Sequence, residues 1–391
     1  MEKRLAFNEI PIDRNEISQD ELNIAEKKRS NLFAWNGQFS PQFIETLLSK
    51  YAEKDFFVVD PFLGSGTVLV ECARKKMRAY GTELNVSAYS MAKIYELCNL
   101  LPQKRSLLLK ETNQVIKNTI NSTNSFGTLL KKNSTTKNTE LKTILSLLVV
   151  LLDIYNNEIS NDLVKNKFES LCKIIKDLPF TESQIRAENG DARNLNLEDE
   201  CADLLLTSPP YINVFNYHQK YRASVEALGV NVLSLAKSEF GSNRKHRSNR
   251  LFTVIQYCVD IALSIKEASR VLKNKSRLIY VVGRESSVLG YSFCNSELVY
   301  NLATSIFGLK CMLRQERVFR NRYGQMIYED ILHFENNKNN ALPDEKIVAQ
   351  AQLTAVNMLK TKLKQDNKNK PLLEQAILNA NNVKKSEVYY A

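Results

Sequence analysis

No two cysteines in this chain are spaced as C-x-x-C. The seven that occur, at 72, 98, 172, 201, 258, 294 and 311, are scattered, and only three histidines accompany them. That pattern excludes a zinc site of paired thiolates and a disulfide framework, so no metal is expected and a reducing compartment fits. Long apolar runs are missing too. The longest, Ile144 to Leu152, is broken by Ser146 and falls far short of the roughly 20 residues that span a bilayer. The start, Met1-Glu2-Lys3-Arg4, leads into mixed polar sequence without the apolar core of a secretion signal. No repeat of fixed period is visible. The expectation is a soluble cytoplasmic protein with no membrane partner.

What is present is ordinary globular composition. Of 391 residues, 43% are hydrophobic and 25% charged, which excludes wholesale disorder, and the length holds roughly two to three average domains. Lys and Arg total 54 against 43 Asp and Glu, a net charge of +11. Such an excess favours a polyanionic partner.

The apolar patterning reads as α/β. Phe56 to Asp60 is a short β-rich run, followed by the glycine turn Pro61-Phe62-Leu63-Gly64-Ser65-Gly66-Thr67 and a helical pattern through Met77. A second strand reads over Arg78 to Leu84 and a helix over Val86 to about Leu100. This alternation implies a parallel sheet with right-handed crossovers. Between about Leu101 and Arg186 the composition turns to Asn, Lys, Ser and Thr with helical spacing, broken at Asn121 to Thr128 and Lys131 to Asn138. We read a helical insertion with a flexible middle. The α/β rhythm resumes at Asn189-Gly190-Asp191-Ala192-Arg193, and Ala202 to Thr207 reads as a buried strand stopped by Ser208-Pro209-Pro210-Tyr211. A long helix over Leu251 to Lys273, a strand over Arg277 to Val282 and a helix over Ser296 to Phe307 follow. Lys310 to Phe319 and Ile327 to Phe334 read as a hairpin. Beyond Asn337 the spacing suggests an appended helix pair or a partly loose tail.

Gly64 and Gly66 let a ligand approach the backbone beside a helix N-terminus, although glycines can also simply close a βα turn. Glu83, at the end of the second strand, stands where ribose hydroxyls are held, and Asp191 is a candidate acceptor for an adenine amino group. The turn lacks the Gly-Lys-Ser/Thr ending of a P-loop. A nucleoside pocket therefore fits better than a diphosphate cradle. In Thr207-Ser208-Pro209-Pro210-Tyr211, Ser208 Oγ and the Pro209 carbonyl can both accept from one exocyclic NH2, and Tyr211 offers a stacking face. The alternative is an ordinary strand end with its tyrosine in the core.

Asp60-Pro61-Phe62-Leu63-Gly64-Ser65-Gly66-Thr67 and Thr207-Ser208-Pro209-Pro210-Tyr211 resemble the two signature motifs of AdoMet-dependent DNA amino-methyltransferases, the group that modifies cytosine N4 or adenine N6. Gly37-Gln38-Phe39-Ser40-Pro41 is similar to the motif that precedes the glycine turn there. The resemblance implies a Rossmann-like seven-stranded AdoMet-dependent methyltransferase fold, here with a helical insertion and a C-terminal helical tail. It implies S-adenosyl-L-methionine as cofactor, with Phe39, Pro41, Asp60, Pro61, Phe62, Gly64, Ser65, Gly66 and Thr67 around its methionyl side. Glu83 then holds the ribose, Asp191 and Ala192 the adenine, and Ser208, Pro209, Pro210 and Tyr211 the target base. Phe215 or Tyr217 can add stacking. The implied division is 1–100 and 186–336 as the methyltransferase domain, 101–185 as the insertion and 337–391 as the tail.

Within the 212–250 loop, Arg244, Lys245, Arg247 and Arg250 are candidate DNA contacts, and a solvated basic loop is the plainer alternative. Arg314, Arg317, Arg320 and Arg322 form a second candidate set, with the solvent face as its alternative. His218 reads as a positioned loop side chain. The implied partner is double-stranded DNA with a specific recognition sequence, hence a place at the nucleoid. A cognate restriction endonuclease belongs to this reading, and the chain acts as monomer or dimer. Ser208, rather than Asp or Asn, tilts the base towards cytosine N4. The competing readings are an adenine-N6 enzyme, a tRNA guanine-N2 methyltransferase and a non-catalytic DNA-binding subunit.

Overall fold

A computed structural model describes residues 5–212, 219–241, 246–320, 324–337 and 342–389. Its elements run α1 (Gln19–Asn23), α2 (Pro41–Tyr51), β1 (Phe57–Asp60), α3 (Thr67–Arg74), β2 (Arg78–Glu83), α4 (Val86–Lys93), α5 (Pro102–Ile120), α6 (Ser125–Thr135), α7 (Thr139–Leu152), α8 (Asn161–Asp177), β3 (Ile185–Asn189) and β4 (Ala202–Thr207). They continue with α9 (Arg222–Ala227), α10 (Val232–Leu235), α11 (Phe252–Val271), β5 (Leu272–Gly283), β6 (Glu285–Val288), β7 (Tyr291–Cys294), α12 (Asn295–Ile306), β8 (Lys310–Arg320), β9 (Met326–Glu335), α13 (Asp344–Thr361) and α14 (Lys370–Leu378).

Seven strands form one sheet in the order β3-β2-β1-β4-β5-β9-β8. The first five pair in parallel, and β9 runs antiparallel between β5 and β8. This is the Rossmann-like α/β architecture expected from the sequence. Period-2 alternation divides the core: Val58, Leu204 and Leu206 join one cluster with Phe43 and Leu69, while Val59 and Leu205 face the other with Val254 and Ile261. Strand order reverses between β1 and β4, and the crevice at such a switch point is where open α/β sheets take ligands.

Both sheet edges are covered. At β8, Asp13 N donates to Arg314 O (2.7 Å), Gln19 Nε2 to Glu316 O (2.8 Å) and Val318 N to Asn23 Oδ1 (2.7 Å). At β3, Ile185 N donates to Asn99 Oδ1 (3.0 Å) and Ala187 N to Glu96 Oε1 (2.8 Å). Side chains and a short N-terminal segment thus occupy groups that an exposed edge would present to another strand.

One expectation needs correction. The middle of the insertion is not a flexible break, because α6 occupies 125–135. The Asn124 side chain caps it by accepting from Gly127 N at 2.8 Å, a local bond that overrides the polar composition. Of the two readings of the tail, the helix pair is the one that forms, as α13 and α14. Ile347, Ala351, Ala355 and Leu359 of α13 and Leu373 of α14 are fully buried in the same cluster as α11. Among the described residues, no helix is long and apolar enough to cross a membrane.

Candidate active site

The turn after β1 is shaped by backbone conformation. Gly64 (φ 55°) and Gly66 (φ 87°) lie in the left-handed region that favours glycine. A Cβ on Gly66 would come within 2.9 Å of Ala92 and 2.8 Å of Tyr95. The Glu83 carboxylate fastens this turn to the end of β2, accepting from Gly64 N (2.7 Å) and Asn85 N (2.8 Å). Burial raises the Glu83 pKa, and the N–H groups of Asn85, Gly64 and Leu84 oppose the shift.

Residues 31–39 lie beside the turn. Ser65 Oγ donates to Gln38 Oε1 (2.7 Å), Thr67 Oγ1 to Asn31 Oδ1 (3.1 Å), and Asn31 Nδ2 to Phe39 O (2.8 Å). Lys220 Nζ sits 5.5 Å from the Trp35 ring centroid and donates to Ala34 O at 2.7 Å. The segment after Tyr217 is thereby tied to the same loop.

Across the switch point, Thr207 Oγ1 donates to Asp60 Oδ1 at 2.6 Å, and Phe62 N donates to the same oxygen at 3.1 Å. Asp60 is 1% exposed, and burial pushes its pKa up to about 7 against the pull of these two donors. Beyond Thr207, the Tyr211 ring lies against Gly283 at the end of β5, where an added Cβ would meet it at 2.5 Å. Tyr211 Oη donates to Glu329 Oε1 at 3.3 Å, and Glu329 pairs with Arg317 at 3.0 Å. Asn295, fully buried, bridges the loop to the sheet: its Oδ1 accepts from Ile212 N (3.4 Å) and its Nδ2 donates to Gly283 O (3.1 Å). No hydrogen bond to the Ser208 hydroxyl is seen among the described residues.

These parts enclose one cavity of about 150 Å³, roughly ten times what a single water needs. It admits an organic ligand of many atoms. Phe39, Pro61, Phe62, Gly64, Ser65, Thr67, Glu83, Asp191, Ala192, Ser208, Pro209, Pro210 and Tyr211 all line it. Pro41, at the first turn of α2, and Gly66, the cap of α3, stand outside that wall. Asp60 lies behind it, turned to Thr207.

Asp191 reaches the cavity, but its carboxylate is already gripped by Arg193, at 2.8 Å from Nε to Oδ1 and 2.5 Å from Nη2 to Oδ2. Arg247 and Arg250 are exposed. Arg244, Lys245, Phe215, Tyr217 and His218 lie outside the described residues. Arg314 and Arg317 are neither free cations nor solvent face. Each is 8% exposed; Arg314 pairs with Asp330 at 3.0 Å and Arg317 with Glu329. The antiparallel register of β8 and β9 sets each near its carboxylate. Arg320 is exposed and donates to Gly324 O at 3.0 Å, and Arg322 lies outside the described residues.

The sequence reading missed Trp35, Phe240, Gly283, Asn295 and Arg193. Phe240 packs edge-on to Phe62 with centroids 5.3 Å apart and also lines the cavity. Only Arg193 had a local signal, two residues after Asp191.

Residues 14–94 match a family model described as DNA methylase, of the N6/N4 type. The chain is 23% identical to the type II methyltransferase M.MvaI of Kocuria varians, over 64% of this chain and 74% of that protein. It is 30% identical to M.MjaII, a type II methyltransferase of Methanocaldococcus jannaschii, over 66 residues, which span 12% of that relative's length. A SAM-dependent methyltransferase from Methanosarcina mazei overlays with a TM-score of 0.35 at 12% identity, over 74% of this chain and 96% of that one. At that score the overlay is weak, and the fold assignment stands on the strand order. The family-model match covers the segment with the glycine turn, and there the chain is similar to the N6/N4 DNA methylases.

Proposed function

We propose that this protein transfers a methyl group from S-adenosyl-L-methionine to the exocyclic amine of a base flipped out of double-stranded DNA, at a specific recognition sequence, with cytosine N4 as the target. The observation that carries this reading is the shared cavity: Gly64 and Glu83 on one side and Ser208 to Tyr211 on the other, distant in sequence, face the same space. When bound, the cofactor supplies an electrophilic methyl on a sulfonium.

The lining fits that group. Glu83 Oε2 accepts from Gly64 N and Oε1 from Asn85 N, and a carboxylate has further lone pairs for ribose hydroxyls. Asp191 reaches the cavity wall where the adenine would lie, with Arg193 balancing its charge. The Gly64 backbone, without a Cβ beside Trp35, and Phe62 suit the methionyl side.

An exocyclic amine is a poor nucleophile because its lone pair is delocalised into the ring. Ser208 Oγ and the Pro209 carbonyl accept its N–H bonds, which draws nitrogen towards a tetrahedral geometry and stabilises the charge that develops in transfer. Tyr211, packed against Gly283, supports the flipped ring, and flipping is needed because the amine is paired inside the duplex. No covalent enzyme intermediate is required, and no cysteine in the chain follows a proline. Arg247 and Arg250, with Arg244 and Lys245, hold phosphates. The choice of cytosine rests on Ser208, and a restriction-modification setting is inferred from the type II relatives.

The test incubates purified protein with labelled cofactor and DNA from a strain lacking the gene, followed by nucleoside mass spectrometry. N4-methylcytosine is expected. N6-methyladenine alone would overturn the base, and label confined to tRNA would overturn the DNA substrate.

A further inference from the structure

Arg193 is 9% exposed, and a guanidinium has five N–H donors to place. Its Nε and one Nη2 proton go to the two oxygens of Asp191, and one Nη1 proton goes to Asp260 Oδ1 at 2.6 Å. The remaining two go to a stretch nearly two hundred residues away: Nη1 to Ser386 O (3.1 Å) and Nη2 to Glu387 O (2.8 Å). The same stretch returns donors to both carboxylates. Ser386 N reaches Asp260 Oδ1 (2.9 Å), Ser386 Oγ reaches Asp260 Oδ2 (2.6 Å), and Tyr389 N reaches Asp191 Oδ2 (3.2 Å). Tyr389 Oη donates to Asn189 Oδ1 at 3.3 Å. Ser386 is 1% exposed and Asp260 fully buried, and Ser386 Oγ lies 3.2 Å from the backbone oxygen of Glu239, itself on the cavity wall.

We propose that residues 384–389 form a strap that completes the adenine end of the cofactor site, with Arg193 as the positioning residue that transmits its docking to Asp191. This rests on the cofactor reading of the cavity. Without the strap, one Nη1 donor of a buried guanidinium loses its acceptor, one Nη2 donor is left with only the longer bond to Ser238 O (3.4 Å), and Asp191 loses a backbone N–H that fixes its second oxygen. A buried charge left partly unsatisfied is costly, so Arg193 would turn towards the vacated groups and Asp191 would follow. Docking of the strap and binding of the cofactor are therefore coupled, and such coupling is reciprocal.

The experiment uses the full chain and two readouts. Calorimetric titration with AdoMet and with adenosine is run on the parent protein, on Ser386→Asp, which sets a carboxylate against Asp260, and on Tyr389→Pro, which removes the N–H to Asp191. Both variants should weaken AdoMet and adenosine about tenfold or more, by similar factors, while affinity for a DNA duplex stays at the parent value. A general loss of structure would lower all three together. Hydrogen exchange on the parent protein should show the Ser386 and Tyr389 amides slowed by saturating AdoMet. Parent-level AdoMet affinity in both variants, equal loss of DNA affinity, or exchange at 384–389 indifferent to cofactor would overturn the strap. A parent protein that binds DNA but not AdoMet would instead overturn the cofactor reading beneath it.

Discussion

Thr207 Oγ1 donates to Asp60 Oδ1 across the point where the sheet reverses its strand order. This bond joins the end of β4 to the end of β1 and so sets the two loops that face the cavity relative to one another. Thr207→Val removes the only side-chain donor to this buried carboxyl among the described residues while keeping the volume. We expect a loss of roughly 1–3 kcal/mol at pH 8, where Asp60 carries charge, read by urea denaturation.

Asp60 also predicts a pH dependence. In the folded chain it holds its proton to about pH 7, while its ordinary value is 3.8. Between those values the folded state binds more protons than the unfolded state, so stability falls as pH rises from about 4 through 7 and then levels. Asp60→Asn should shrink that slope. Glu83, raised in the same direction, keeps a remainder. A variant slope equal to the parent's, measured by thermal denaturation across this range, would contradict the assignment.

Ser208 and Glu83 should separate turnover from cofactor affinity. Ser208→Ala is expected to lower kcat on DNA about a hundredfold with AdoMet affinity little changed. Glu83→Gln should weaken AdoMet about tenfold and leave kcat at saturating cofactor nearer the parent value. Equal effects of both on AdoMet binding would refute the division of roles.

Gly283→Ala tests the platform under Tyr211. The new methyl cannot coexist with the ring at 2.5 Å, so Tyr211 must move, and overpacking of this kind costs about 1–3 kcal/mol. Methyl transfer should fall at least tenfold while calorimetric AdoMet affinity is preserved.

Arg247 and Arg250 are predicted phosphate contacts. If each neutralises one phosphate, the double Arg→Ala variant should bind duplex DNA with a log–log salt slope shallower by about two. An unchanged slope in a filter-binding series would assign both to solvent.

Much of the cavity was legible because strand ends stopped by Gly64, Gly66, Pro209 and Pro210 are local features: the backbone conformations they permit do not wait on distant partners. Glu83 and Asp191 were found for the same reason, each standing just past a strand pattern. Arg314 and Arg317 misled because their carboxylate partners, Asp330 and Glu329, arrive only through the register of β8 against β9. Asn295 and Ser386 gave no signal at all. A buried asparagine that bridges two backbones, and a serine that satisfies a carboxylate more than a hundred residues away, have ordinary sequence neighbours.

The two flanks of the sheet are stopped by Asn99 and Glu96 at one end and by Asp13, Gln19 and Asn23 at the other. At these positions, self-association through a continuous intermolecular sheet would first have to peel away the chain's own plugs.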